Sequence, residues 1–330
     1  MFIVNSYGLA VFFCFIIMLC WGSWGNTQKL AAKSWRYELF YWDYVIGMVI
    51  FSLLLALTLG TFGPEGRPFF QDIAQADSSA ILSIIIGGVI FNLSNICLSA
   101  STSIAGMSVA FPVGCGLALV LGVINNLRVE MSQGALKSNL TLLAIGVALV
   151  VVAVILNGIA SGKKAGNAEI SKADQRKGII LAVVAGVVMS FFSSFVMKAM
   201  DLKDFANMEP GKVGPYTAIV VFGPIFMKWP FQGAPVKMSE YFKGNSKTHL
   251  VGMLGGCIWC LGTALSYIAA GKAGASVSYA LGQGAPMVAA IWGVFVWKEF
   301  KGSNKTVYNL LGMMFLFFIV GLGMIVAAGM

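Results

Sequence analysis

The chain has 330 residues, of which 58% are hydrophobic and only 11% charged, with a mean hydropathy of +0.84 and a formal net charge of +9. A soluble domain carries roughly 25% charged residues, and no soluble core of this length buries so much apolar surface, whereas lipid covers it, so the composition excludes a soluble globular protein. The positive charge does not indicate nucleic acid as a partner, because the basic residues are dispersed in short gaps between apolar runs, where they anchor helices on one side of a bilayer.

The expected fold class is an all-α membrane protein with ten transmembrane helices. The hydrocarbon core takes about 20 apolar residues per crossing, and ten stretches qualify: 7–27, 41–61, 80–100, 105–126, 139–158, 178–199, 214–230, 249–270, 274–297 and 307–328. The opening residues MFIVNSYG lack a basic segment, and the first apolar run is too long for a signal-peptide core, so it reads as a retained span. The seventh stretch carries Pro215, Pro224 and Pro230, which a membrane helix tolerates when neighbours satisfy the freed carbonyls. Very short hinges, Ser101 to Ile104 and Gly271 to Ala273, predict two tight antiparallel hairpins. The one clear linker, residues 161–177, holds Lys163, Lys164, Lys172, Arg176 and Lys177 among small and polar residues, and divides the chain into segments 1–160 and 178–330.

These halves match each other. Residues 87–130 lie without a gap on 255–298 at an offset of 168, which pairs Leu93 with Leu261, Gly106 with Gly274, Ser108 with Ser276, Gly114 with Gly282 and Gly116 with Gly284. At an offset of 170, Gly8 meets Gly178 and Ser23 meets Ser193. Five spans per half is an odd number, so the second half enters the membrane in the opposite sense, as inverted repeats of secondary transporters do. Fifteen Lys and Arg residues fall on the side of the linker and seven on the other. The linker is therefore expected in the cytoplasm of a cell (inner) membrane, with both termini outside or periplasmic.

Charges inside the spans are few, which points to a neutral polar ligand rather than one held by ion pairing. Asn92, Asn95 and Ser99 share one face of the third span, Thr263 and Tyr267 form the matching stripe on the eighth, and Ser276, Tyr279 and Gln283 line the ninth. Amide side chains offer both donors and an acceptor, which suits a ligand with adjacent N–H and C=O groups; the same residues also serve interhelical hydrogen bonding. Trp21, Trp24, Gly25 and Gln28 lie on one face at the end of the first span, as a stacking wall or as interfacial belt residues. Pro112 and Pro286, flanked by glycines, mark points where the fourth and ninth spans bend, for gating or for packing. Asp43, among aromatics early in the second span, is the best candidate for a coupling acid, with Glu299 and Glu38 near the cytoplasmic boundary and His249, the sole histidine, at the start of the eighth span. The six cysteines all lie in apolar runs, and Cys257 and Cys260 read as packing residues rather than a redox or metal pair. The chain has no G-x-x-x-x-G-K-[ST], H-E-x-x-H or G-x-S-x-G motif, so an ATP-driven pump or a membrane hydrolase finds no support, and no cofactor, metal or catalytic residue is expected.

Several stretches also resemble a known family: WGSW from Trp21, FYWDYVIG around Asp43 and Tyr44, GGVIFNLSN ending at Asn95, AGMSVAFPVG after it, PYTA with Tyr216 and Thr217, and WGVFVWKEF with Trp292, Gly293 and Glu299. In their order and spacing they resemble the ureide permeases of the drug/metabolite transporter superfamily, across nearly the whole chain. The resemblance implies a proton-coupled importer of neutral nitrogen heterocycles such as allantoin, uracil and related oxo-purines or pyrimidines. It also implies a longer central loop in plant members than the linker here. The expected partners are a small-molecule substrate, a proton as coupling ion, the lipid bilayer and, as an option, a second copy in a homodimer. A monosaccharide permease of the same superfamily is the main alternative, ahead of a drug exporter or a non-transporting receptor or scaffold.

Overall fold

The computed structural model describes every residue except 32–34, 106, 166–171 and 223–234, and within its helices leaves the side chains of 37, 99, 102, 103, 105, 107–112, 165 and 172 undescribed. Fourteen α-helices follow in chain order: α1 (Tyr7–Ser23), α2 (Gly25–Ala31), α3 (Tyr37–Leu57), α4 (Phe69–Gln75), α5 (Ser78–Ala105), α6 (Met107–Gln133), α7 (Leu140–Ala165), α8 (Lys172–Ala199), α9 (Pro215–Val221), α10 (Met238–Tyr241), α11 (Ser246–Ala273), α12 (Ala275–Gly282), α13 (Ala285–Ile291) and α14 (Lys305–Ala328). A π-turn, Trp292–Val296, continues α13. Short polar residues start the long helices by accepting a backbone N–H of the first turn: Ser6 takes Leu9, Asn245 takes Thr248 at 2.9 Å, and Asn304 takes Val307 at 3.0 Å.

Among the described residues, nine helical stretches are long and apolar enough to cross a membrane. They account for every expected span except the seventh, of which only α9 falls within the described residues before 223. Helix boundaries differ from expectation in places. The first span is divided at Trp24 into α1 and α2. Helix α7 extends to Ala165 and α8 begins at Lys172, so helix enters the expected linker from both sides, since Ala, Lys and Gln are good helix formers and Asp174 suits a first turn. The ninth span is broken: α12 ends at Gln283 and α13 starts afresh with Pro286 in its first turn, where a missing N–H costs nothing. Pro286 therefore starts a helix rather than bending one. The eighth-to-ninth hinge falls at Gly274 (φ 85°), beyond the expected Gly271 to Ala273, because only glycine adopts that backbone without strain.

Contacts sort the connections into two opposite ends. At one end, the Tyr7 hydroxyl donates to the Val326 carbonyl (2.6 Å), Arg67 donates to the Met208 carbonyl (2.9 Å) and Lys137 to the Gly271 carbonyl (2.8 Å). At the other, Lys29 pairs with Glu299, the Ser101 hydroxyl donates to the Gly178 carbonyl (2.7 Å), and Lys164 lies over the Phe300 ring. The chain ends share the first face, and the linker flanks share the second. Helix α1 runs from the chain-end face to the linker face, whereas α8 runs the other way. Helices α5 and α6 pack on α8, while α11 and the α12–α13 pair pack on α1; α7 packs on α14, and α6 on α12.

With lipid outside, apolar surface alone does not hold helices together, and close backbone approach takes over. A methyl group at Gly146 would stand 2.8 Å from the Gly321 carbonyl, and one at Gly321 2.9 Å from the Gly146 carbonyl, which locks α7 on α14. Gly47 and Gly256 do the same between α3 and α11, each facing backbone of the other helix. On the chain-end face, Arg67 and Gln75 clamp the 208–212 loop through its carbonyls, and Asp72 accepts the Gly214 N–H (2.8 Å).

Candidate functional site

At mid-depth, α1, α3, α5 and α11 bring together a wall of aromatic and amide groups. Trp21 Nε1 donates to Thr263 Oγ1 (3.2 Å), whose hydroxyl donates to the Trp259 carbonyl one turn back. Trp21 also fills the space beside Gly262 and Gly282, where any side chain would collide with its ring. Trp21 thus packs against α11 and against the α12 terminus that carries Gln283. Trp24 packs against Tyr44 at 5.0 Å between centroids with the rings tilted 45° apart, and the aromatic contacts continue through Trp259 and Phe91 (4.5 Å) to Phe192 (5.5 Å) and Tyr279 (6.2 Å).

The polar groups of this region differ in what they still offer. Asn92 is fully engaged: its carbonyl accepts the Tyr41 hydroxyl (2.5 Å) and its amide donates to the Gly88 carbonyl. Asn95, one turn further along α5, is 8% exposed, and its amide nitrogen has no partner among the described residues. The Tyr267 hydroxyl, 1% exposed on α11, also has none. Tyr279 is satisfied, donating to the Ala118 carbonyl (3.1 Å) with its ring against Gly122, and so belongs to the α6–α12 contact. Gln28 and Gln283 are half-buried. The side chains of Ser99 and Pro112 lie outside the described residues.

Asp43 anchors a second cluster, near the linker end. Its carboxylate is fully buried and accepts from three directions: the Tyr241 hydroxyl (2.5 Å), Trp35 Nε1 (3.1 Å) and His249, whose Nδ1 stands at 2.8 Å. The three partners come from the approach to α3, from α10 and from the first turn of α11. Gly252, one turn on from the histidine, leaves room for the carboxylate, since a side chain there would strike Asp43. Trp35 also borders an open depression of about 490 Å³ on the linker face, with Leu39, Val236 and Glu240. Tyr241 is held well above the usual phenol range, first by burial and then by Asp43. Glu299 does not join this cluster; it is exposed and paired with Lys29. The sequence signalled Asp43 and His249 separately, but nothing in their spacing of 206 residues joins them.

A third group went unread in the sequence. Glu130, near the chain-end terminus of α6, is 1% exposed, and its carboxylate accepts the Ser276 hydroxyl at 2.6 Å. A carboxylate closing the apolar run from Val113 was the available signal.

A family model described as sugar transport protein matches residues 13–328. The chain belongs to this family. Along 99% of its length it is 23% identical to ureide permease 1 of Arabidopsis thaliana and 22% identical to ureide permease 2, covering 99% of each. An L-rhamnose-proton symporter of Yersinia pestis bv. Antiqua (strain Antiqua) is 26% identical over 51% of this chain and 48% of its own. A solved crystal structure shares the fold, with a TM-score of 0.56 at 14% identity, covering 96% of this chain and 98% of the other. The expected kinship with ureide permeases is met. The protein is thus an integral membrane transporter of small solutes, and its relatives are permeases and symporters, not enzymes.

Proposed function

We propose that the protein imports a small neutral nitrogen heterocycle of the ureide or nucleobase class by proton symport, with alternating access between two inverted halves, residues 1–160 and 178–330. The observation that carries the substrate class is the central wall itself. It presents stacking rings and an unmet amide donor at Asn95, and none of its named members is charged. A buried donor without a partner costs about 1–3 kcal/mol, which a ligand carbonyl would recover. Trp21, Trp24, Gln28, Asn95, Thr263, Tyr267 and Gln283 form the binding set, with Asn95 and Gln283 as its amide contacts, while Asn92 and Tyr279 brace the wall through the hydrogen bonds they already make.

The opposed directions of α1 and α8, and the packing pairs that exchange when the halves are swapped, support the inverted repeat. Among the described residues, Pro215 lies toward the chain-end face and Pro235 borders the depression on the linker face. The excess of basic residues at the linker face supports a cytoplasmic linker and outer termini. Asp43 carries the coupling proton, its buried carboxylate held by Tyr241, Trp35 and the chain's one imidazole, His249.

Uptake of radiolabelled uracil and allantoin into proteoliposomes, with and without an inward proton gradient, tests this reading. Gradient-stimulated uptake of either is expected. The family description and the partial match to an L-rhamnose-proton symporter favour a second reading, a monosaccharide. Uptake of glucose or rhamnose alone would replace the heterocycle with it.

A further inference from the structure

Two of the buried carboxylates, Asp43 and Glu130, stand at opposite ends of the molecule, and each ties one half to the other. Asp43, on the first half, grips Tyr241 and His249 of the second at the linker end. Glu130, also on the first half, grips the start of α12 at the chain-end face. Its Oε2 accepts the Ser276 hydroxyl at 2.6 Å, and its Oε1 faces the Ser276 N–H at 3.4 Å. Oε1 also occupies the space a side chain at Gly274 would need, so the carboxylate is fitted against the α11–α12 hairpin. Glu130 makes no salt bridge among the described residues. Lys137, from the α6–α7 connection, acts on it electrostatically, and Lys272, at the end of α11, and Asp204 act on Lys137 in turn. Lys137 itself donates to the Gly271 carbonyl.

The segment held in this way is mechanically separate. Helix α12 has only eight residues, bounded by Gly274 at one end and by the break at Gln283 and Gly284 at the other. Its far end abuts Trp21 through Gly282. A motion of its first turn therefore reaches the central wall over a span of one short rod.

We propose that Glu130 is a proton-operated latch on the chain-end gate: ionised, it holds α12 closed across the two halves, and neutralised, it lets the first turn of α12 move away. The inference rests on the transporter reading for its purpose, but the latch itself is testable without any substrate. Neutralisation removes the charge from two hydrogen bonds and from the positive end of α12 while leaving the side chain's volume in place.

The test is hydrogen–deuterium exchange of residues 275–282 in nanodisc-embedded full-length protein, corrected for the intrinsic pH dependence of exchange. Wild type is expected to lose protection there as pH falls. Glu130→Gln should exchange about ten-fold faster at neutral pH, the scale of losing a charge-assisted hydrogen bond, and should lose the pH dependence. Ser276→Ala leaves the carboxylate intact and should move protection in the same direction by less. Glu130→Asp, which keeps the charge, controls for misfolding and should retain part of the pH response. Equal protection in wild type and Glu130→Gln at every pH overturns the latch, and so does a pH response that survives in Glu130→Gln. If these exchange results hold while no solute is taken up, the latch stands and the substrate assignment falls.

Discussion

Single side chains carry the clearest consequences. Asp43→Asn removes the acceptor charge from a site with three converging donors, and should abolish accumulation driven by a proton gradient while leaving solute exchange across proteoliposomes measurable. Full gradient-driven accumulation in that variant would remove Asp43 from the coupling role. Asn95→Ala and Gln283→Ala should each weaken half-saturation by about ten-fold, the scale of one good hydrogen bond to a desolvated ligand; unchanged saturation curves would dissolve the proposed amide contacts. On the chain-end face, Asp72 is a different case. Burial, its largest influence, holds its carboxyl above the usual carboxylate range, against the pull of Gly214 N–H and Arg67. Folding thus favours its protonated form, so its contribution to stability is full below the unfolded value and fades as pH rises through the folded one. The melting-temperature advantage of wild type over Asp72→Asn should narrow as pH rises above the ordinary carboxylate range, and an advantage that widens with rising pH would show that Arg67 dominates instead. Residue type and stripe spacing made Asn92, Asn95 and Asp43 visible in the sequence. They did not show that Tyr41 already consumes Asn92, nor that His249 closes on Asp43, because such partners depend on which helices become neighbours.

At the level of elements, hydropathy located nine of the crossings well, since each is a long run that lipid must cover. It missed the interruptions. The breaks at Trp24 and Gln283 are marked only by short polar or glycine-containing stretches, which a hydropathy window averages away. The close crossings were equally hidden, because a glycine in an apolar run looks the same whether it faces lipid or a neighbouring backbone. Gly256 faces the Tyr44 carbonyl on α3, so Gly256→Leu should force α3 and α11 apart and cost about 1–3 kcal/mol. Gly312, which meets nothing, is the internal comparison, and Gly312→Leu should leave melting in detergent close to that of wild type. A comparable loss in both variants would mean that helix propensity or detergent contact, not the crossing, sets the effect.

For the whole molecule, the arrangement of basic residues was the part of the sequence that anticipated three-dimensional order best. Of the basic residues assigned to one side by their place between spans, Lys29, Lys164 and Lys243 lie at the linker face, and Lys137 and Lys272 at the other. A single cysteine placed at Asp174 in a cysteine-free background should react with an impermeant thiol reagent only after cells are opened, and one at Asn207 before; the reverse pattern would invert the proposed orientation. The proposed binding set is spread over several helices, so no single one carries it. Trp21, Asn95, Thr263 and Gln283 come from four of them, which is why a linear reading found candidates but not their grouping.

The hydrogen bond from Tyr7 to Val326 places the two ends of the polypeptide side by side at one surface. Joining Met330 to Met1 through a short spacer and cutting the chain within 166–171 would yield a circular permutant in which α8 to α14 are synthesised before α1 to α7. Every helix would keep its direction and its neighbours, and each basic cluster its side. The order in which the halves leave the ribosome would thereby become an experimental variable, separable from the architecture they assemble.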